Sequence, residues 1–293
     1  MPETIQKIKF KPGFEFEIEI LPLAELMKRE GENLILPHRT NFYHIFLFEI
    51  SHPVHFVDFE PIQIKPFSLL FIHKDRVHRF DKSLDYEGYV LIFTDDFYCN
   101  SESDKKFLKT SILFNPIFEE TILEIGQENF NQFHKVFQDI DDELRLPKEK
   151  AIPTILKNLL HNLLLKAERE ITNPGFWEQR RGADLDYAFL FMDLVELKFI
   201  KQKNVVEYAR QIFISEKRLG QATSKVFGKS PKEIINERVL LEAKRLLGHS
   251  NLSIKEIGRE LGFEDPAYFV RYFKKRTANT PVEFRERAYH VFA

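Results

Sequence analysis

Cysteine is nearly absent from this chain. Cys99 is the only one in 293 residues, which excludes an intrachain disulfide framework and fits a reducing compartment. Long apolar runs are missing too: none approaches the roughly 18 residues that a bilayer-spanning helix needs. The opening MPETIQKIKF has no apolar stretch ahead of a small-residue cleavage site. These absences predict a soluble, cytoplasmic protein without membrane contact. No Gly-rich phosphate loop, nucleophile motif or Cys/His constellation occurs, so neither an enzyme nor a cofactor is expected.

What is present divides the chain. At 293 residues it is long enough for two domains. The net charge of −2 averages two unlike parts. From Leu190 onward there are about 20 Lys+Arg against about 13 Asp+Glu, roughly +7, and the remainder carries about 23 against 32, roughly −9. A basic end on an acidic body is an electrostatic footprint for a polyanion at one end. The 30 Phe suit aromatic-rich strands or compact cores.

From about Lys7 to Tyr98 the pattern is strand-like. Phe14–Ile20 alternates apolar and acidic residues, and Tyr43–Ile50, His55–Phe59, Phe67–Ile72 and Gly88–Phe93 are short, aromatic and β-branched runs between turn residues. A sandwich or small barrel follows. From Phe130 to about Ile171 the spacing becomes helical, with breaks expected at Pro147 and Pro153. Ile155, Leu159, Leu160, Leu163, Leu164 and Leu165 form a stripe wider than a lone surface helix buries. Docking on the strands and a homodimer seam fit that stripe equally. Thr172–Gly175 is the expected turn, and the linker is placed there.

The C-terminal helices are announced by their caps. Asn204, Ser230, Ser253 and Thr280 each stand three residues before a Glu, Pro231 and Pro281 occupy the first helical position, and Asp265-Pro266 and Ser215 open two more helices. Two of these helices carry an outer stripe suited to the major groove. In Ser215–Phe227 the stripe is Lys217, Gln221, Ser224 and Lys225, with Arg218 flanking it for a phosphate. Gly220 in mid-helix suggests close approach to DNA or to a neighbouring helix. In Pro266–Lys275 the outward residues are Ala267, Tyr268, Arg271 and Lys275, with Arg271 the leading candidate for a bidentate guanine contact. Pro231–Leu247 is a spacer of about 25 Å that sets the two stripes about one DNA turn apart.

These residues carry a resemblance. Leu219, Gly228-Lys229-Ser230-Pro231, Arg238, Ala243, Leu246-Leu247, Ile254, Ile257-Gly258, Leu261-Gly262-Phe263, Phe269, Phe273-Lys274-Lys275, Thr280-Pro281 and Phe284-Arg285 make the region from Val205 to Arg287 resemble the DNA-binding domain of the AraC/XylS family of bacterial transcription regulators. Three positions depart from the family pattern: Gly258 for Ala, Thr223 for an aromatic, and Ala278 for a turn glycine. More loosely, Pro37-His38-Arg39, Phe42-Tyr43, Val77-His78-Arg79-Phe80 and Gly88-Tyr89-Val90 resemble the family's cupin-like sensing barrel. That resemblance implies a small-molecule effector pocket, for which His38, Phe42, Tyr43 and His78 are the candidates, and a helical dimer contact. Metal-binding cupins carry a His-x-His pair where this chain reads His38-Arg39-Thr40, and His44, His55, His73 and His78 show no compact ligand spacing, so no metal is expected.

The expected architecture is α+β and multidomain: a cupin-like effector domain over residues 1–125, a helical dimerisation and linker segment over 126–183, and a double helix-turn-helix domain over 184–293. The expected function is sequence-specific regulation of transcription on double-stranded DNA by a homodimer, activation being the expected sign and RNA polymerase a further partner. The alternative is a cupin-type metal-dependent enzyme fused to a helical partner-binding module.

Overall fold

Strand β4 (Tyr43–Phe48) shows how the N-terminal half is built. All six residues are buried, yet a strand sends alternate side chains to opposite faces. Tyr43, Ile45 and Leu47 enter one core, and Phe46 and Phe48 enter another. In the computed structural model, which describes residues 5–10, 16–50, 53–58, 60–74, 76–82, 86–114, 121–147, 149–171 and 183–292, β4 is the middle strand of a sheet covered on both faces.

The remaining strands are β1 (Gln6–Ile8), β2 (Ile18–Pro22), β3 (His38–Thr40), β5 (Val54–Val57), β6 (Glu60–Gln63), β7 (Ser68–Ile72), β8 (Val77–Arg79), β9 (Gly88–Phe93) and β10 (Thr121–Glu124). They form two five-stranded sheets, ordered β1-β3-β8-β5-β6 and β10-β7-β4-β9-β2. Pairing is antiparallel throughout except between β1 and β3. Pro61 lies on β6, an edge strand, where a missing N–H costs no ladder bond. The expected barrel is not found closed among the described residues, where the two sheets share no strand.

Helices α1 (Leu23–Leu34), α2 (Asp95–Tyr98), α3 (Glu102–Thr110), α4 (Gly126–Leu144) and α5 (Ile152–Ile171) complete this half. Helix α1 buries Leu23, Met27 and Leu34 in the core between the sheets. It interrupts what reads as continuous strand, because its 3.6-residue spacing is short and lies between β-patterned runs. Helix α5 contributes Leu156, Leu160, Leu163, Leu164 and Ala167 to the other core, beside Phe133 and Phe137 of α4. Burying each of these leucines and phenylalanines is worth about 1.5–3 kcal/mol, so most of the leucine stripe is committed to docking; Ile155 and Leu165 stay exposed. Pro153 does not break the chain but sits in the first turn of α5, where a helix needs no N–H.

The chain divides into two compact units, the first over Ile5–Asn173 and the second over Pro174–Ala293. The turn expected at Thr172–Gly175 lies outside the described residues. The second unit holds α6 (Ala183–Lys198), α7 (Val205–Gln211), α8 (Glu216–Phe227), α9 (Pro231–His249), α10 (Ile254–Glu260), α11 (Pro266–Thr277) and α12 (Pro281–Phe292). The expected caps are formed. Asn204 Oδ1 accepts from Val206 N at 3.0 Å and Ser215 Oγ from Arg218 N at 3.1 Å. Ser230–Glu233 and Ser253–Glu256 are complete capping boxes, and Thr280–Glu283 makes the same reciprocal pair. Each cap is worth about 1 kcal/mol. No helix among the described residues is long and apolar enough to cross a membrane.

Candidate nucleic-acid interface and cavity

The first helix-turn-helix runs from α7 to α8. Its turn is Ile212, Phe213 and Ile214, with Phe213 in the left-handed region at φ 59°. On α8, Leu219, Ala222 and Thr223 are buried, and Lys217, Gln221, Ser224 and Lys225 are all exposed. Arg218 is half-buried and pairs with the Asp184 carboxylate of α6, whose other oxygen lies 3.0 Å from Lys225 Nζ. Hydrogen bonds from Lys225 and Arg218 hold the Asp184 carboxyl below the usual carboxylate range. One carboxylate thus bridges two of the predicted DNA cations, an arrangement that nothing in the sequence spacing announces.

The second unit repeats the design over α10 and α11. Its turn has Gly262 at φ 73°. A Cβ there would lie 2.1 Å from the Ile200 carbonyl oxygen, so glycine is required twice over. Asp265 accepts from Ala267 N at 2.8 Å and Tyr268 N at 3.1 Å, which places it at the cap. Phe269, Tyr272 and Phe273 point inward. Ala267, Tyr268, Arg271 and Lys275 are exposed, and Arg271 Nη2 lies 3.5 Å from Asp265 Oδ2.

Helix α9 spans 19 residues, or about 28 Å, and joins the two helix-turn-helix motifs. Ile234, Ile235, Val239, Ala243 and Leu247 are buried along it. Arg238 fixes its orientation by donating to both Glu196 oxygens, at 2.8 and 2.9 Å, and to Glu242 at 3.0 Å. Tyr272 donates to Asn236 at 3.2 Å, which ties α11 to the same helix. The three departures from the family pattern find local reasons. Thr223 is fully buried with its hydroxyl directed at Gly220 O. A Cβ on Gly258 would approach Phe269 Cβ to 3.3 Å, so the glycine lets that ring seat closely. Ala278 adopts φ 60°, the left-handed cap geometry that Gly228 has at φ 68°; the turn is kept and alanine bears the strain. Gly220 has no heavy atom within 4 Å of a built Cβ, which excludes helix–helix approach among the described residues.

The N-terminal unit contains a cavity of about 330 Å³ between the sheets and α1, lined by His38, His44, His78, Phe42, Phe46 and Phe80 among others. His38, Phe42 and His78 line this cavity, and Tyr43 does not. It faces the other core, stacked on Phe93, with its hydroxyl 3.1 Å from Asp95 Oδ1. Strand parity puts His44 in its place.

Strand pairing also gathers histidines that are far apart in sequence. His38 and His78 are register partners with ring centroids 4.3 Å apart. His44 lies 4.6 Å from His78, and His55 Nε2 lies 3.1 Å from His78 Nδ1. Burial pushes His38 down to about 4 and His55 to about 3, and holds His44 and His78 well below the ordinary value. All four are neutral near pH 7. Among the described residues no three His, Cys, Asp or Glu side chains are grouped so as to hold a metal ion.

A model of the helix-turn-helix domain matches residues 208–287, a span that takes in both α8 and α11. The HTH-type transcriptional activator RhaR of Cronobacter sakazakii is 23% identical over 264 residues, covering 88% of this chain and 89% of that protein. The arabinose operon regulatory protein of Salmonella typhimurium is 33% identical over 131 residues, 44% of each chain. Among solved structures, ToxT from Vibrio cholerae is 17% identical, covering 92% of this chain and 94% of that one, with a TM-score of 0.43. With two capped helix-turn-helix units on one scaffold, and relatives named as regulators aligned along most of its length, the chain is a DNA-binding transcriptional regulator similar to those of the AraC family.

Proposed function

We propose that α8 and α11 enter two successive major grooves of one duplex. Gln221 and Arg271 read base edges, Ala267 meets a thymine methyl, and Tyr268 and Ser224 take adjacent polar contacts. Lys217, Arg218, Lys225 and Lys275 hold phosphates. The observation that carries this reading is the pair of exposed, basic-fringed stripes on helices whose opposite faces are buried. Residues 184–293 serve as the DNA-binding domain, 1–125 as a cupin-like sensing domain whose effector occupies the cavity, and 126–183 as the segment available for a homodimer contact. Activation through RNA polymerase is the expected output, in keeping with the activators among the relatives. The helix-turn-helix match and the regulators among the relatives favour this regulator over a metal-dependent enzyme.

Sequencing of duplexes captured by the purified protein supplies the operator. Binding to it is then measured against random DNA at two salt concentrations. Arg271→Ala should cost about 1–3 kcal/mol on the operator and relax one base position. Lys225→Ala should weaken both duplexes alike and flatten the salt dependence. Equal losses on operator and random DNA for Arg271→Ala would remove it from base readout.

A further inference from the structure

The cavity and the histidine cluster meet. His44 Nδ1 and His78 Nε2 belong to cavity-lining residues, are buried, and have no hydrogen-bond partner among the described residues. An unpartnered buried polar atom is costly, and native structures keep few of them. We infer that these histidines form the recognition floor for an uncharged, hydroxyl-bearing ligand with an apolar, ring-sized body. The inference rests on reading the cavity as the effector site.

The donor pattern selects the head group. His38 Nδ1 lies 2.9 Å from Leu36 O. A carbonyl only accepts, so Nδ1 carries the proton and Nε2 keeps its lone pair. Between His55 Nε2 and His78 Nδ1 one nitrogen donates and the other accepts. If His78 Nδ1 donates, its Nε2 is an acceptor; if His55 donates, His78 Nε2 carries a proton. The floor therefore offers a donor or an acceptor by tautomer exchange. A hydroxyl, which both donates and accepts, satisfies either state.

Charged heads fit poorly. The floor has no formal charge while the imidazoles are neutral, and burying an uncompensated ion is costly. At the cavity lining Lys9 and Arg29 are matched by Glu19 and Glu30, so no net charge favours an anion. Phe42, Phe46 and Phe80 supply ring surfaces for the body.

The test uses the full-length protein and three matched probes: 2-naphthol, naphthalene and 2-naphthoate, titrated by calorimetry at pH 7.5. Wild type should bind 2-naphthol at least about tenfold more tightly than either of the others, the effect of one added hydrogen bond. His78→Phe keeps a ring but removes both nitrogens. It should bring 2-naphthol and naphthalene within about twofold of each other, with naphthalene binding retained as the sign of an intact cavity. His44→Phe is the second variant, read the same way.

Equal binding of 2-naphthol and naphthalene by wild type would overturn the inference and leave the cavity reading standing. So would tightest binding of 2-naphthoate, or a naphthol preference that survives in both variants. Stoichiometric binding of zinc chloride that is lost in His78→Phe would replace it with a metal site. Binding of none of the three probes would overturn the cavity reading and the inference together.

Discussion

Phe213 and Gly262 hold the same place in the two helix-turn-helix turns. Each lies one residue beyond the C-cap of the first helix, with φ 59° and 73° respectively. Their surroundings are opposite. Gly262 has no space for a Cβ, while Phe213 is 95% exposed. The left-handed conformation costs a non-glycine residue about 1–2 kcal/mol, and the exposed ring recovers nothing within its unit. Phe213→Gly should therefore raise stability by up to about 1 kcal/mol, after the extra freedom of glycine in the unfolded chain is deducted. Gly262→Ala should lose about 3 kcal/mol or more, since strain and a backbone clash coincide. Urea unfolding of the two variants decides both, and a neutral Gly262→Ala would contradict the turn geometry.

Asp184 sits between Arg218 and Lys225, and a DNA phosphate would have to compete with it for both. Asp184→Asn removes the competitor and keeps the shape. Its DNA affinity should increase at low salt, and the slope of log K against log salt should steepen, by about one for each cation transferred to a phosphate. Fluorescence anisotropy across a salt series reads the slope. An unchanged slope would mean that neither cation reaches the backbone.

Gly220 separates stability from binding. With nothing near a built Cβ, Gly220→Ala should stabilise α8 by about 1 kcal/mol through helix propensity. If the duplex backbone approaches that face, the same methyl group should weaken operator binding several-fold. A variant both more stable and equally tight would show that the glycine serves no close approach to DNA.

The buried histidines set an acid limit on the N-terminal unit. Their folded pKa values lie below the ordinary 6.5, with His38 at about 4 and His55 at about 3, chiefly through burial. The unfolded chain therefore takes up protons that the folded one refuses. Their contribution is complete above about pH 6.5 and is lost as pH falls toward 4, at up to about 1.4 kcal/mol per pH unit for each histidine. Hydrogen exchange of β3, β4 and β8 amides between pH 7 and 5 follows the loss. His55→Phe should make the dependence shallower by about one proton, and an unchanged slope would count against a neutral buried His55.

Much of the C-terminal unit was legible beforehand because its signals are local. A cap, a proline at the first helical position and a 3.6-residue stripe act within a few residues of themselves, so Ser230, Asp265 and the exposed face of α8 follow from neighbouring residues alone. Strand parity is equally local, and the Tyr43 assignment failed because choosing which face is which requires knowing what covers the sheet.

Only the tertiary structure decided the rest. Pairing of β3 with β8 brought His38 onto His78 across 40 positions of chain, and α6 delivered Asp184 to cations on a later helix. Docking of α4 and α5 consumed most of the leucine stripe that periodicity alone left equally open to a partner. Composition and spacing determine which faces are apolar and where helices begin. Which apolar face meets which, and which charges are thereby paired, depends on contacts between distant segments.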